Sequence, residues 1–180
     1  SYTITVYPTP TVAVPADITV CTNGNVPATS FVSTPAGGTF SWTNSNTTIG
    51  LVSSGTGDIA SFTAINTGSA PVSASISVTP TANGCTGTPS SYNITVNPTP
   101  GVSVPANSSV CNNDVIPATN FISTPQGGSF TWTNSNTAIG LASSGTGDIA
   151  SFTATNTGTT NISATISVFS DVGSCIGSPS

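Results

Sequence analysis

The sequence predicts an all-β protein, built as two tandem immunoglobulin-like β-sandwich domains. Three observations carry that prediction. Apolar and polar residues alternate at period two in many short runs. No window shows an apolar stripe at helical spacing with capping residues at its ends. The chain also aligns with itself, without a gap, at a shift of 90 residues, with 58 identities in the 90 paired positions.

The repeat sets the domain plan. Cys21 falls on Cys111, Trp42 on Trp132, Asp58 on Asp148 and Cys85 on Cys175. The best-matched stretches are Trp42 to Thr47 with Trp132 to Thr137, and Ser53 to Phe62 with Ser143 to Phe152. Ser1 to Val6 matches Ser91 to Val96, which follows the Cys85 loop and closes the first copy. Residues 1–7 therefore read as the closing strand of a preceding repeat, 8–97 as the first repeat, and 98–180 as a second whose closing strand is missing or supplied by the next unit. The joints are Pro8-Thr9-Pro10 and Pro98-Thr99-Pro100. Two prolines in three residues bias each joint to stiff, extended geometry.

Each expected strand has its own pattern. In Tyr92-Asn93-Ile94-Thr95-Val96 the apolar side chains share a face, and in Val72 to Val78 the serines all face out. Phe40 with Trp42 points inward, as do the equivalent Phe130 and Trp132. Ala60, Phe62 and Ala64 form a further inward row, echoed at Phe152. Val12 with Val14, Ile18 with Val20, and the Phe31 region complete the expected core. Six to eight short strands in such a length suit a sandwich. A buried tryptophan is the common role in that architecture, so core packing outweighs sugar stacking for Trp42 and Trp132.

Composition removes whole classes of function. The chain has no Lys, Arg or His, and its only charged side chains are Asp17, Asp58, Asp114, Asp148 and Asp171. Nothing can neutralise phosphates, so nucleic acid is not an expected partner. No polybasic patch can hold an anionic membrane, and no apolar run is long enough to insert. No histidine can serve as general base and no lysine as nucleophile, so no enzyme activity, catalytic residue or cofactor is expected. Without an initiator Met or signal peptide, Ser1 is not expected to be a native start. Ser and Thr number 62 and Asn 16, giving a surface of hydroxyls and amides.

Asp58 and Asp148 lie in Ser-Gly-Thr-Gly-Asp-Ile and are the weak candidates for a metal site. Calcium takes six to eight oxygens, usually from several carboxylates, and only one Asp per repeat is shared here. The favoured reading is a carboxylate that accepts backbone N–H bonds in a Gly-rich turn. Asn46, Asn93, Asn107 and Asn161 begin N-x-Ser/Thr sequons, which arise by chance in such a composition.

The cysteines come one pair per repeat at equal spacing, Cys21 with Cys85 and Cys111 with Cys175. That favours one disulfide within each repeat, although four cysteines allow three connectivities and four buried thiols are the alternative. Sheet edges lack the charge that usually blunts them. Pro10, Pro15, Pro27 and Pro35 offer protection, and the sharper reading is that edges stay pairable for fibre assembly.

Several segments together resemble the PKD-like repeats of very large Bacteroidetes surface proteins. They are Thr19-Val20-Cys21, the run Phe130 to Gly158, Asn83 to Pro89 and Tyr92 to Pro100. The resemblance spans essentially the whole chain. It implies tandem β-sandwiches, export by the type IX secretion system, and roles in adhesion or gliding. The expected function is a non-catalytic stalk or filament module of an extracellular adhesin at the cell surface, with neighbouring repeats as partners. Alternatives are a glycan- or protein-binding module, or a subunit of a self-assembling fibre. In that fibre, Tyr2, Ile4 and Val6 are buried as an inter-unit strand against a unit on their amino-terminal side.

Overall fold

A computed structural model describes all of residues 1–180, which fall into two units, Ser1–Pro98 and Thr99–Ser180. The first unit has ten strands. They are β1 (Thr11–Ala13), β2 (Ile18–Cys21), β3 (Asn25–Val26), β4 (Val32–Thr34), β5 (Thr39–Asn44), β6 (Ser54–Thr56), β7 (Phe62–Thr63), β8 (Val72–Ala82), β9 (Cys85–Thr86) and β10 (Ser90–Asn97). One sheet runs β2-β10-β8-β5-β6, with β9 folded back on β8. The pairs β1–β4 and β3–β7 cover its inner face. The result is an immunoglobulin-like β-sandwich.

Alternation fixes which face of each strand is buried. Tyr92, Ile94 and Val96 of β10 meet Ile76, Ala74 and Val72 of β8 in antiparallel register. Ile94 and Val96 face Ile18 and Val20 of β2 in parallel. Tyr92, Ile94, Val96, Ala74, Ile76 and Val78 are all buried, in one cluster with Val26, Phe31, Trp42 and Ile49. The β8 serines are exposed or half-buried, as their parity requires. The row expected at Ala60, Phe62 and Ala64 is broken: Ala64 is buried, Phe62 half-buried and Ala60 exposed. The β7 strand holds only two residues, so no extended backbone carries the alternation back to Ala60.

Two single turns of 3₁₀ helix, at Thr47–Ile49 and Thr137–Ile139, are too short to carry a helical stripe in the sequence. Their sequence signal was present. Asn46 caps the first turn by accepting from the Thr48 N–H, and Gly50 ends it at φ 96°.

The second unit repeats the plan with eight strands. These are β11 (Gly101–Ser103), β12 (Val115–Ile116), β13 (Ile122–Thr124), β14 (Ser129–Asn134), β15 (Ser144–Thr146), β16 (Phe152–Thr153), β17 (Ile166–Val172) and β18 (Cys175–Ile176). Its main sheet is β15-β14-β17-β18. No strand takes the place that β10 holds between β8 and β2, and residues 107–111 form no counterpart of β2. The consequence is a smaller core of Phe121, Trp132, Ile149 and Val168, with half-buried Phe130 and Phe152 packed on it. Ser180 exchanges two backbone hydrogen bonds with Val168, each 3.1 Å. This is the same pairing that Ser90 makes with Val78 at the start of β10.

Candidate functional site

The segments that match best between the repeats are polar, and the structure shows what they do. Asn44 is buried, and its amide Nδ2 donates to the carbonyls of Leu51 and Val52 at 2.9 and 3.3 Å. Its Oδ1 accepts from the Asn46 N–H, and Asn46 in turn caps the 3₁₀ turn and donates to the Ser73 carbonyl. Ser45 Oγ accepts from the Ser75 N–H at 2.8 Å. Asn134, Ser135 and Asn136 repeat these bonds in the second unit. The motif Trp-Thr-Asn-Ser-Asn-Thr therefore holds the β5–β6 connection in shape rather than presenting groups to a ligand.

Trp42 and Trp132 lie inside, 6% and 7% exposed, as the alternation required. Each indole lies against the glycine opposite it on the neighbouring strand, Gly55 for Trp42 and Gly145 for Trp132. Phe40 and Phe130 are half-buried, and their rings tilt against Phe31 and Phe121 at 5.6 Å between centroids.

Asp58 and Asp148 are engaged in the fold. Asp58 Oδ1 accepts the Phe31 N–H at 3.0 Å and Asp148 Oδ1 accepts the Phe121 N–H at 2.8 Å. Each carboxylate lines an open depression, beside Phe40 in one unit and Phe130 in the other. Neither depression gathers a second carboxylate, whereas calcium sites usually draw on several. Asp17, which becomes Asn107 in the second repeat, accepts the Asn93 backbone N–H at 2.7 Å and its side-chain amide at 3.3 Å. These bonds, the backbone one foremost, hold its carboxyl below the usual aspartate value. Burial pushes the Tyr92 phenol up, opposed by the side chain of Thr29.

The cysteine pairing expected from spacing is corrected. Cys85 and Cys111 carry free thiols, while Cys21 and Cys175 are disulfide-bonded. The reason lies in the register. Cys21 sits opposite Asn97, one step beyond the Val96–Val72 pair, at one end of β8. Cys85 pairs with Ala82 at the other end. With β8 running 11 residues, the two sulfurs lie roughly 30 Å apart. A disulfide requires Cα atoms within about 7 Å, so no bridge closes within the sandwich.

Residues 1–7 form no strand with the units of this chain, and the burial expected for Tyr2, Ile4 and Val6 is against a different unit on their amino-terminal side. Tyr2, Ile4 and Val6 are 87%, 73% and 86% exposed, and no strand is present before Thr11. The place in the first unit that suits this sequence is taken by its own copy, Tyr92 to Val96 in β10.

Sequence reasoning missed one feature altogether. The chain enters and leaves the first unit at opposite ends. Pro10 is fully buried, and Gly87 lies so close to its carbonyl that any Cβ there would collide with backbone. Gly87 also donates to the Pro80 carbonyl at 2.8 Å, near the Ala82 end of β8. The exit, Asn97, lies at the Val72 end. The signal was the Gly-x-Pro after each second cysteine, at Gly87 and Gly177, whose need for close approach only packing reveals.

No helix is long and apolar enough to cross a membrane. No curated protein matches the chain. A family model described as a PKD-like domain matches residues 18–100, which supports a PKD-like, immunoglobulin-like domain in the first unit.

Proposed function

We propose that this chain is a non-catalytic structural repeat in the stalk or filament of an extracellular bacterial surface adhesin, with repeat boundaries at 8–97 and 98–180. The observation that carries this reading is the through-passage of the backbone. The chain enters the first unit beside Gly87 and leaves beside Cys21, at the two ends of β8. Each repeat then advances the chain by about the length of that strand, roughly 35 Å at 3.3 Å per residue. Stiff proline joints keep the advance directional. The best-matched polar residues are engaged in turns, which suits a spacer better than a site. A surface almost without charge makes such a spacer insensitive to salt.

Adhesion, gliding and type IX export belong to this proposal through the family resemblance. The oxidised state of Cys21 and Cys175 fits an oxidising compartment outside the cytoplasm. The test is electron microscopy of arrays with increasing repeat number. Contour length growing by about 35–45 Å per repeat supports the reading. Arrays that collapse into compact particles overturn it.

A second reading is favoured by one specific observation. Tyr2, Ile4 and Val6 are exposed and repeat the alternation of Tyr92, Ile94 and Val96, the buried face of β10. One chain's first strand could complete the second unit of its neighbour, giving a head-to-tail fibre. Concentration-dependent polymers that run as an 18 kDa species on a denaturing gel, near the chain mass of 17.6 kDa, would support this reading; a monomer at all concentrations would exclude it.

A further inference from the structure

The short strand β6 leaves a hollow beside β5. It ends at Thr56, which pairs with Ser41. Gly57 then turns at φ 72°, and its N–H donates to the Phe40 carbonyl at 2.9 Å. Beyond that bond β5 has no strand on its β6 side. The second unit does the same by itself: Thr131 pairs with Thr146, and Gly147, at φ 69°, donates to the Phe130 carbonyl at 2.9 Å. The two hollows have volumes of about 620 and 400 Å³, within the range of small-molecule sites.

The lining combines an aromatic ring, a carboxylate and hydroxyls. Phe40 packs against Phe31 and is only half-buried, the rest of its surface lining the hollow. Asp58 uses Oδ1 for the Phe31 N–H, and its Oδ2 takes no hydrogen bond from the chain. Thr39, Ser41 and Thr56 stand exposed around them. The hydroxyls of Ser41 and Thr56 have no partner within the fold, and that of Thr39 makes only a long 3.4 Å bond to the Thr81 carbonyl. In the second unit Phe130, Asp148, Ser129, Thr131 and Thr146 take the same places. The two differences, Thr39 to Ser129 and Ser41 to Thr131, exchange one hydroxyl for another. Exposed residues outside the hollow have not kept their chemistry in this way, since Ala36 and Thr48 correspond to Gln126 and Ala138.

We infer that each hollow binds a neutral oligosaccharide of pyranoses with equatorial hydroxyls. Such a sugar has an apolar C–H face and a rim of neighbouring hydroxyls. The face packs on the Phe40 ring, as apolar surface does on aromatic surface. A rim hydroxyl donates to Asp58 Oδ2, a charged acceptor and so a strong one. The Thr39, Ser41 and Thr56 hydroxyls, each both donor and acceptor, meet the others. Charge narrows the class. With no Lys, Arg or His in the chain, nothing pairs with a uronate, sulfate or phosphate, and Asp58 repels all three. A cationic peptide could pair with the carboxylate, but it leaves the three hydroxyls without use. The sites are open and individually weak. Repetition along one chain lets a polymeric glycan engage several, with an avidity that one site lacks. The stalk reading stands whether or not sugar binds.

The test is an amide NMR titration of the isotope-labelled chain. The probes are cellohexaose, laminarihexaose and chitohexaose, with hexagalacturonate as the acidic control and pentalysine as the cationic peptide. At least one neutral sugar should shift the amides of Phe40, Gly57 and Asp58, and those of Phe130, Gly147 and Asp148, saturating with a Kd on the order of 1 mM. Hexagalacturonate should shift none of them. Asp58→Asn keeps an Oδ1 for the Phe31 N–H and removes the charge. It should weaken binding in the first unit by about 3–10-fold and leave the second unit's Kd unchanged. Ser41→Ala, which removes a hydroxyl that the fold does not use, should act in the same direction. The inference is overturned if no neutral sugar shifts these amides, if the shifts lie elsewhere, or if hexagalacturonate or pentalysine saturates the hollows instead. It is equally overturned if both variants leave the first unit's affinity unchanged.

Discussion

Asp58 Oδ1 accepts the backbone N–H of Phe31 at 3.0 Å, tying the turn before β7 to the chain entering β4 across 27 residues. The carboxylate that looked most like a metal ligand is thus a long-range tie in the sandwich. Asp58→Ala removes the acceptor and leaves the Phe31 N–H to find water. The expected loss is about 1–3 kcal/mol by chemical denaturation. Calcium should move the melting point of the parent chain by no more than about a degree or two, since a ligand held by the native state raises it. A large calcium-dependent rise would reassign Asp58 and Asp148 as ligands.

Gly55 faces Trp42 across the β5–β6 ladder with no room for a Cβ. Gly55→Ala should push the indole off its seat and cost about 1–3 kcal/mol, as overpacking does. Tryptophan emission should shift to longer wavelength as the ring gains water. Gly57, at φ 72° with open space around its Cβ position, is the control for backbone strain without a clash. If Gly55→Ala and Gly57→Ala cost the same with no change in emission, the packing account fails.

Acid stability should depend on Asp17. Its carboxyl titrates below the ordinary value of 3.8 because Asn93 donates two hydrogen bonds to it. A depressed folded value stabilises the native state above the unfolded pKa, and that stabilisation is lost as pH falls through the folded value. The window therefore opens at about pH 4 and extends downward. Asp17→Asn, the residue that the second repeat carries at Asn107, should lower stability slightly at pH 7, where the contribution is fully present, and converge with the parent as pH falls, so the acid limb flattens. Urea midpoints between pH 5 and 2 would show it, and an unchanged acid limb in the variant would refute it.

Ile94 and Ile4 stand in near-identical sequences but in opposite surroundings, 1% and 73% exposed. Ile94→Ala should cost about 2–5 kcal/mol, the range for a buried aliphatic truncated to alanine. Ile4→Ala should leave the stability of the monomer within about 0.5 kcal/mol. If the first strand completes a neighbour's second unit, Ile4→Ala should weaken polymers while sparing the monomer. Equal thermal shifts in dilute solution would contradict the placement of residues 1–7.

The sequence by itself determined the fold class, the repeat and most of the inward faces. These are local properties: parity along a strand decides which side chains share a face, and Trp42, Tyr92, Ile94 and Val96 obey it. Parity fails where strands shrink to two residues, as at Ala60 beside β7. The candidate site was less legible. Equal spacing of Cys21–Cys85 and Cys111–Cys175 invited bridges within repeats, because separation along the chain says nothing of separation in space. Only the register of β10 against β2 and β8 put Cys21 and Cys85 at opposite ends of the sandwich. The same register decided that the polypeptide passes through the first unit from end to end. Strand alignment is set by hydrogen bonds between segments far apart in sequence, and that is information no single segment contains.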